Sequence, residues 1–132
     1  MGQVPRHDIP LGGRSGFALV EDRQVHYLEW GGGARPGVLA LHGGGQTAYM
    51  YEALGLALAD RAHVVAPDLP AHGDSDPLPD TAAGAPGEEW DGVPWPMHRA
   101  FAVTMAPLLD AFELGRVLVA VSYTHLTLPT KA

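Results

Sequence analysis

Cysteine is absent from the chain. That excludes disulfides, thiolate zinc sites and cysteine nucleophiles. Asparagine is also absent, and isoleucine and lysine occur once each, as Ile9 and Lys131. Alanine, glycine, proline, arginine and aspartate, whose codons are GC-rich, are plentiful. The coding DNA is therefore read as GC-rich, and a stretch of opposite composition stands out as foreign. Long apolar runs are missing too. No stretch approaches the roughly 18 apolar residues of a membrane span. Met1 to Gly13 carries charges and prolines where a secretory signal would carry an apolar segment. The expectation is a cytoplasmic protein that does not engage membranes. Basic residues are scarce, 8 against 15 acidic ones for a formal charge of −7. They are also thinly spread, which argues against nucleic-acid binding. What is present is a globular composition: 46% apolar and 17% charged residues over 132 positions. That suits one domain and excludes a disordered tail or a coiled coil.

Hydrophobic patterning divides the chain. Gly16 to Glu21 and Gln24 to Glu29 are β-forming runs parted by Asp22-Arg23, which predicts a hairpin. Glycine and proline at 31–37 predict a turn. Val38 to Leu41 is a continuous apolar run, as in a strand buried on both faces. It ends in His42-Gly43-Gly44-Gly45. A helix is expected from Gln46 or Thr47, with Thr47 as N-cap and Tyr51, Leu54 and Leu58 on its inner face. His63 to Ala66 predicts another buried strand. Leu69 to Pro96 predicts a long loop, of the kind usually tied to function. Met97 to Phe112 predicts a helix with Phe101, Met105, Leu108, Leu109 and Phe112 inward, kinked at Pro107 and capped by Gly115. Val117 to Val119 opens a further strand. The alternation predicts an α/β fold with a mostly parallel sheet.

Two segments suit chemistry. A strand running through glycines into a helix, as Leu41 to Gln46 does, presents backbone N–H groups at a positive helix end. Such a turn can hold a phosphate or an oxyanion. Pro67 to Asp76 follows the next strand and so falls at the same carboxyl edge, where open α/β sheets bind ligands. The segments LALHGGGQT, YEALGLALAD, VVAPDLPAHGDSD and MHRAFAVTMAPLLDAFELGRVLV, in this order and spacing, resemble the α/β-hydrolase superfamily over about Gly16 to Val119.

The resemblance implies the N-terminal part of an α/β-hydrolase sheet, with a hairpin followed by parallel strands and crossover helices. It implies that Gly44 and Gly45 supply oxyanion-hole N–H groups and that His42 braces their turn. Asp68, His72, Gly73 and Ser75 would shape the neighbouring loop. Pro70-Ala71 stands where family members often carry Arg-Gly, so contacts of that arginine are not transferred. The chain holds no Gly-x-Ser-x-Gly: Ser15 is followed two positions on by Phe17, and Ser75 by Pro77. The nucleophile elbow is expected just after Val119, with the acid and histidine later still. The implied activity is hydrolysis of a small-molecule ester, lactone or related carbonyl substrate. A serine elbow would serve that chemistry, and an aspartate elbow would serve epoxides or halides. No cofactor is implied. No metal is expected either, because His63, His72, Asp74 and Asp76 lack a ligand spacing and Asp74-Ser75-Asp76 lacks the rest of a calcium loop.

Val121 to Ala132, VSYTHLTLPTKA, holds three of the six threonines and the one lysine. The codons GTC TCT TAT ACA CAT CTG ACG CTG CCG ACG encode its first ten residues, and they resemble a transposase sequencing adaptor read in frame. The expectation is a partial hydrolase domain over 1–120 and an adaptor-derived tail over 121–132. Ser122, Tyr123 and His125 then carry no role. Two alternatives stand beside this reading. Gly43-x-Gly45-x-x-Ala48 followed by Asp68 also fits a dinucleotide-binding fingerprint, although two strands precede it. The chain as written could also be a non-catalytic, incomplete domain with an apolar sheet edge exposed. Glu88-Glu89-Trp90 and Trp95 suit either a substrate entrance or an exposed acidic face.

Overall fold

A computed structural model describes residues 7–9, 12–20, 22–43, 45–77, 89–90, 93–94 and 106–122. The chain runs through β1 (His7–Asp8), β2 (Arg14–Val20), β3 (Arg23–Trp30) and β4 (Gly37–Leu41). A 3-10 turn (Ala48–Tyr51) leads into α1 (Glu52–Leu58), followed by β5 (His63–Pro67). Then come β6 (Glu89–Trp90) and β7 (Val93–Pro94), helical residues 106–111 (α2), and β8 (Val117–Val121). Six strands form one sheet in the order β1-β2-β3-β5-β4-β8. β5, β4 and β8 run parallel, whereas β1, β2 and β3 are antiparallel to their neighbours. The sheet is therefore mixed, not mostly parallel, because β3 joins the parallel set by antiparallel pairing with β5. Inside the expected long loop, β6 and β7 pair as a short ladder.

Strand alternation sends side chains to two cores. On one face Leu28, Trp30, Val38, Ala40, Val64 and Ala66 pack with Ala48, Tyr51 and Leu58. On the other Ala18, Val20, Val25, Tyr27 and Val65 pack with Leu108, Phe112 and Leu114. β3 is covered on both faces, so its odd and even positions are both buried. α1 reaches the sheet through Gly55, where a Cβ would run into the Trp30 ring. Its inner face is Tyr51, Gly55 and Leu58. Leu54, expected inward, is exposed, because Gly55 rather than a leucine makes the close approach to β3.

Thr47 is the N-cap as expected, its Oγ1 accepting from the Tyr49 N–H at 3.4 Å. The end of α2 differs from expectation. Glu113, not Gly115, takes the left-handed conformation, with φ 54°. Leu114 N–H donates to the Leu109 carbonyl and Glu113 N–H to that of Asp110. This is a Schellman cap, in which the residue at that position must turn left-handed whether or not it is glycine. Leu108 and Phe112 are buried as expected, while Met97, Phe101 and Met105 lie outside the described residues. No helix among the described residues is long and apolar enough to cross a membrane.

Candidate functional site

β4 and β5 end side by side at the carboxyl edge, and β8 ends there too, in register from Gly37↔Val117 to Leu41↔Val121. Three connections therefore meet at this edge: residues 42–47, residues 68–77, and the chain leaving β8. The Leu41 carbonyl marks the meeting point. It accepts from the Tyr51 hydroxyl at 2.6 Å and from the Ser122 N–H at 3.1 Å. Burial raises the Tyr51 pKa above its usual value, against the lowering effect of the backbone at Ser122, so this hydroxyl stays a donor.

His42 is fully buried. Its Nε2 accepts from the Leu69 N–H at 2.9 Å, and its Nδ1 lies 2.7 Å from the Gly43 carbonyl. A backbone N–H can only donate, so Nε2 carries the lone pair and Nδ1 the proton. Burial holds the His42 pKa below its ordinary value, outweighing the opposing bond to Gly43, while nearby His72 lowers it further and Asp68 acts against that. His42 is thus a neutral brace between the two loops. Its one basic nitrogen is taken and cannot accept a substrate proton.

The turn beyond it is closed from within. Gly43 N–H donates to the Gln46 side chain at 2.8 Å, and Gln46 N–H returns to the Gly43 carbonyl at 3.2 Å. Gly45 is exposed with φ 78°. Its N–H has no hydrogen-bond partner among the described residues. Gly44 lies outside the described residues.

Asp68 is the hub of the second loop. Its Oδ1 accepts from Ala48 N–H at 2.7 Å, and its Oδ2 from Asp74 N–H at 3.0 Å and from His26 Nδ1 at 2.7 Å. Burial alone would raise its pKa. The bonds from His26, Ala48 and Asp74 outweigh burial and hold it below the usual carboxylate range. Gly73 turns left-handed against this carboxylate, which a Cβ there would strike. Ser75 donates to the Asp68 carbonyl at 2.7 Å and accepts from His26 N–H at 2.9 Å. His72 donates from Nδ1 to the Pro70 carbonyl at 2.9 Å, and its ring lies 5.0 Å from that of His42.

His26, which no motif in the sequence marks, is drawn into this edge from β3, and Ser15 comes with it from β2. The available signal was a histidine inside a buried strand, a group that needs polar partners. The ligand atoms of His26, Asp68 and Asp74 lie within 4.8 Å of one another. Both ring nitrogens and both carboxylate oxygens are already engaged by protein groups, so this cluster does not fit a metal. The same saturation speaks against a dinucleotide site. A ribose would need the Asp68 carboxylate, which is 1% exposed and turned inward.

Other residues singled out lie away from this edge or beyond description. His63 is at the opposite end of β5, bonded to Glu29. A cavity of about 750 Å³ opens at that opposite edge, lined by Arg14, Glu29, Arg35, His63 and Arg116 among others. Glu88 and Trp95 lie outside the described residues, as do Tyr123 and His125.

The fold has counterparts among known proteins. The chain superposes on Cfl2 from Burkholderia cenocepacia with a TM-score of 0.70 at 26% identity, covering 89% of this chain and 36% of that one. It superposes on an epoxide hydrolase from Vigna radiata at TM-score 0.65 and 23% identity, over 84% of this chain and 32% of that one. A thioesterase domain from the curacin biosynthetic pathway gives 0.65 at 22% identity, over 83% and 35%. The chain thus spans about a third of each of these proteins. Comparison with curated protein sequences gives no match. The model of the alpha/beta hydrolase family matches residues 38–124, from the start of β4 past the end of β8. The family's match covers both loops that converge where β8 ends, and the chain belongs to the alpha/beta hydrolase family.

Proposed function

We propose that the chain is the N-terminal portion of a hydrolase that attacks a small ester, lactone or related carbonyl substrate. In this reading the nucleophile sits on the turn that follows β8, and the triad's acid and histidine come from sequence beyond this chain. The carrying observation is the parallel register of β8 with β4, from Gly37↔Val117 to Leu39↔Val119. It brings the chain out of β8 beside the end of the strand whose next residues form the glycine turn. In this reading a nucleophile within a few residues of β8 is served by Gly44 and Gly45 as oxyanion donors. Donors fixed before reaction stabilise the developing oxyanion without reorganisation. Attack forms a covalent intermediate, and a histidine activates water to release it. His42 takes no proton in this scheme, and Asp68, His72 and Ser75 set the loop beside the turn.

In this reading the tail over 121–132 is adaptor-derived and the natural protein, a cytoplasmic enzyme, continues past about Val119. The edge strand β8 suits that reading, with Leu118 exposed at 69% and Val119 at 43%. A long apolar edge is the kind of surface that further strands cover. Such an uncovered edge also suits the second reading, that the chain as written is a non-catalytic, incomplete domain.

The test is expression of the uninterrupted source gene, assayed with p-nitrophenyl acetate and with styrene oxide. Ester turnover abolished by a fluorophosphonate supports a serine elbow. Epoxide turnover that resists the fluorophosphonate moves the chemistry to an aspartate elbow. Turnover of neither probe, with no fluorophosphonate adduct, contradicts the hydrolase reading.

A further inference from the structure

The strongest unused feature is a buried polar chain that runs from the hairpin to the glycine turn. The register Phe17↔His26 places Ser15 and His26 on one face of adjacent strands, close enough for diagonal contact. Ser15 Oγ lies 2.7 Å from His26 Nε2. His26 Nδ1 lies 2.7 Å from Asp68 Oδ2. The other oxygen of Asp68 accepts from the N–H of Ala48 at 2.7 Å. Ala48 is the first residue of the 3-10 turn that follows residues 42–47. Ser15, His26 and Asp68 are 3%, 2% and 1% exposed.

The residue types are those of a hydrolytic triad, but the surroundings are not. Ser15 is buried, 3% exposed, away from solvent-borne substrate. The His26 ring lies between Phe17, at 5.2 Å, and Tyr49, at 6.3 Å. Asp68 spends its second oxygen on the backbone of the turn. A carboxylate accepts only, so His26 donates from Nδ1, and in the neutral ring Nε2 then accepts from the Ser15 hydroxyl. Ser15 thereby fixes the tautomer and tilt of His26, His26 fixes the carboxylate, and the carboxylate fixes the N–H at the far end of the glycine turn. Outer-shell partners of this kind orient the groups they touch.

We propose that Ser15 and His26 are positioning residues that act through Asp68 to hold the far end of the glycine turn, residues 45–48, in one geometry. The consequence for turnover rests on the hydrolase reading; the consequence for the turn does not.

The test compares His26→Leu, His26→Asn and Ser15→Ala with the unaltered chain by amide hydrogen exchange, reading Ala48 against Val25 in β3. His26→Leu is expected to speed Ala48 exchange relative to Val25 by about tenfold, the size of one charge-assisted hydrogen bond. His26→Asn, whose amide nitrogen can stand where Nδ1 stands, is expected to restore Ala48 protection. Ser15→Ala is expected to give a smaller rise, about threefold. The unaltered chain should also show a downfield His26 Nδ1 proton that disappears in Asp68→Asn. If Ala48 and Val25 accelerate together in His26→Leu, and His26→Asn behaves no differently from it, the relay is only part of the core and the proposal is overturned. In the product of the uninterrupted gene, His26→Leu should lower kcat for p-nitrophenyl acetate with KM unchanged. A raised KM at unchanged kcat would overturn the link to the turn. An unaltered enzyme with no turnover would instead sink the hydrolase reading, and the exchange result would still decide the relay.

Discussion

Two buried histidine–carboxylate pairs bridge the same two stretches of chain at opposite edges of the sheet. At the carboxyl edge His26 of β3 meets Asp68, just past β5. At the other edge His63 of β5 meets Glu29 of β3. The chemistry is alike and the settings are not. Asp68 also binds the N–H groups of Ala48 and Asp74, so it ties together two loops that carry no ladder of their own. Glu29 is paired with Arg14, whose side chain is 34% exposed, beside an open cavity. Water can replace what is lost there. The lesson is that a buried histidine–carboxylate pair matters to a site through the backbone groups the carboxylate satisfies.

Breaking the comparison should show this difference. Asp68→Ala strands two backbone donors and His26 in a dry setting. It should cost about 3–5 kcal/mol in urea unfolding. Glu29→Ala should cost less, about 1–2 kcal/mol, because Arg14 regains water. Equal losses would mean that the backbone bonds of Asp68 add nothing.

Acid should sharpen the same contrast. The folded pKa of His42 lies below its ordinary 6.5, so the unfolded chain binds the proton first. Its contribution is complete above pH 6.5 and is lost as pH falls from there toward the folded value. Asp68 is also held low, below its ordinary 3.8. Its contribution is present above that value and is lost as pH falls through its folded pKa. Both act in one direction, so the urea midpoint should decline steadily on acidification. His42→Gln should flatten the part of that decline nearest neutrality.

The smallest effect lies away from both pairs. Glu113→Gly should stabilise the fold by about 0.5–1 kcal/mol, because glycine adopts the left-handed cap without strain. A loss of stability there would contradict the cap.

The α/β fold and both loops were legible because local signals agree over short spans. Val38–Leu41 and His63–Ala66 read as buried strands, and the glycines after Leu41 mark the turn. What was hidden depends on contacts between distant positions. His26 and Asp68 are 42 residues apart, and nothing in the run RQVHYLEW indicates which loop the ring will meet. Spacing excludes Ser15 as an elbow nucleophile but carries no sign of a supporting role for its hydroxyl. The antiparallel pairing of β3 with β5 likewise follows from the tertiary path. Gly115 looked the better cap by composition. The cap fell on Glu113 because the burial of Phe112 and Leu114 fixes where α2 must end.

The central claim is that a nucleophile elbow follows β8. Its most direct test is the DNA sequence downstream of codon 119, amplified from the source without transposase adaptors. The account predicts an elbow sequence such as Gly-x-Ser-x-Gly directly after Val119, with an acid and a histidine later in frame. A genomic VSYTHLTLPTKA followed by a stop codon would contradict it and leave a family member without a triad.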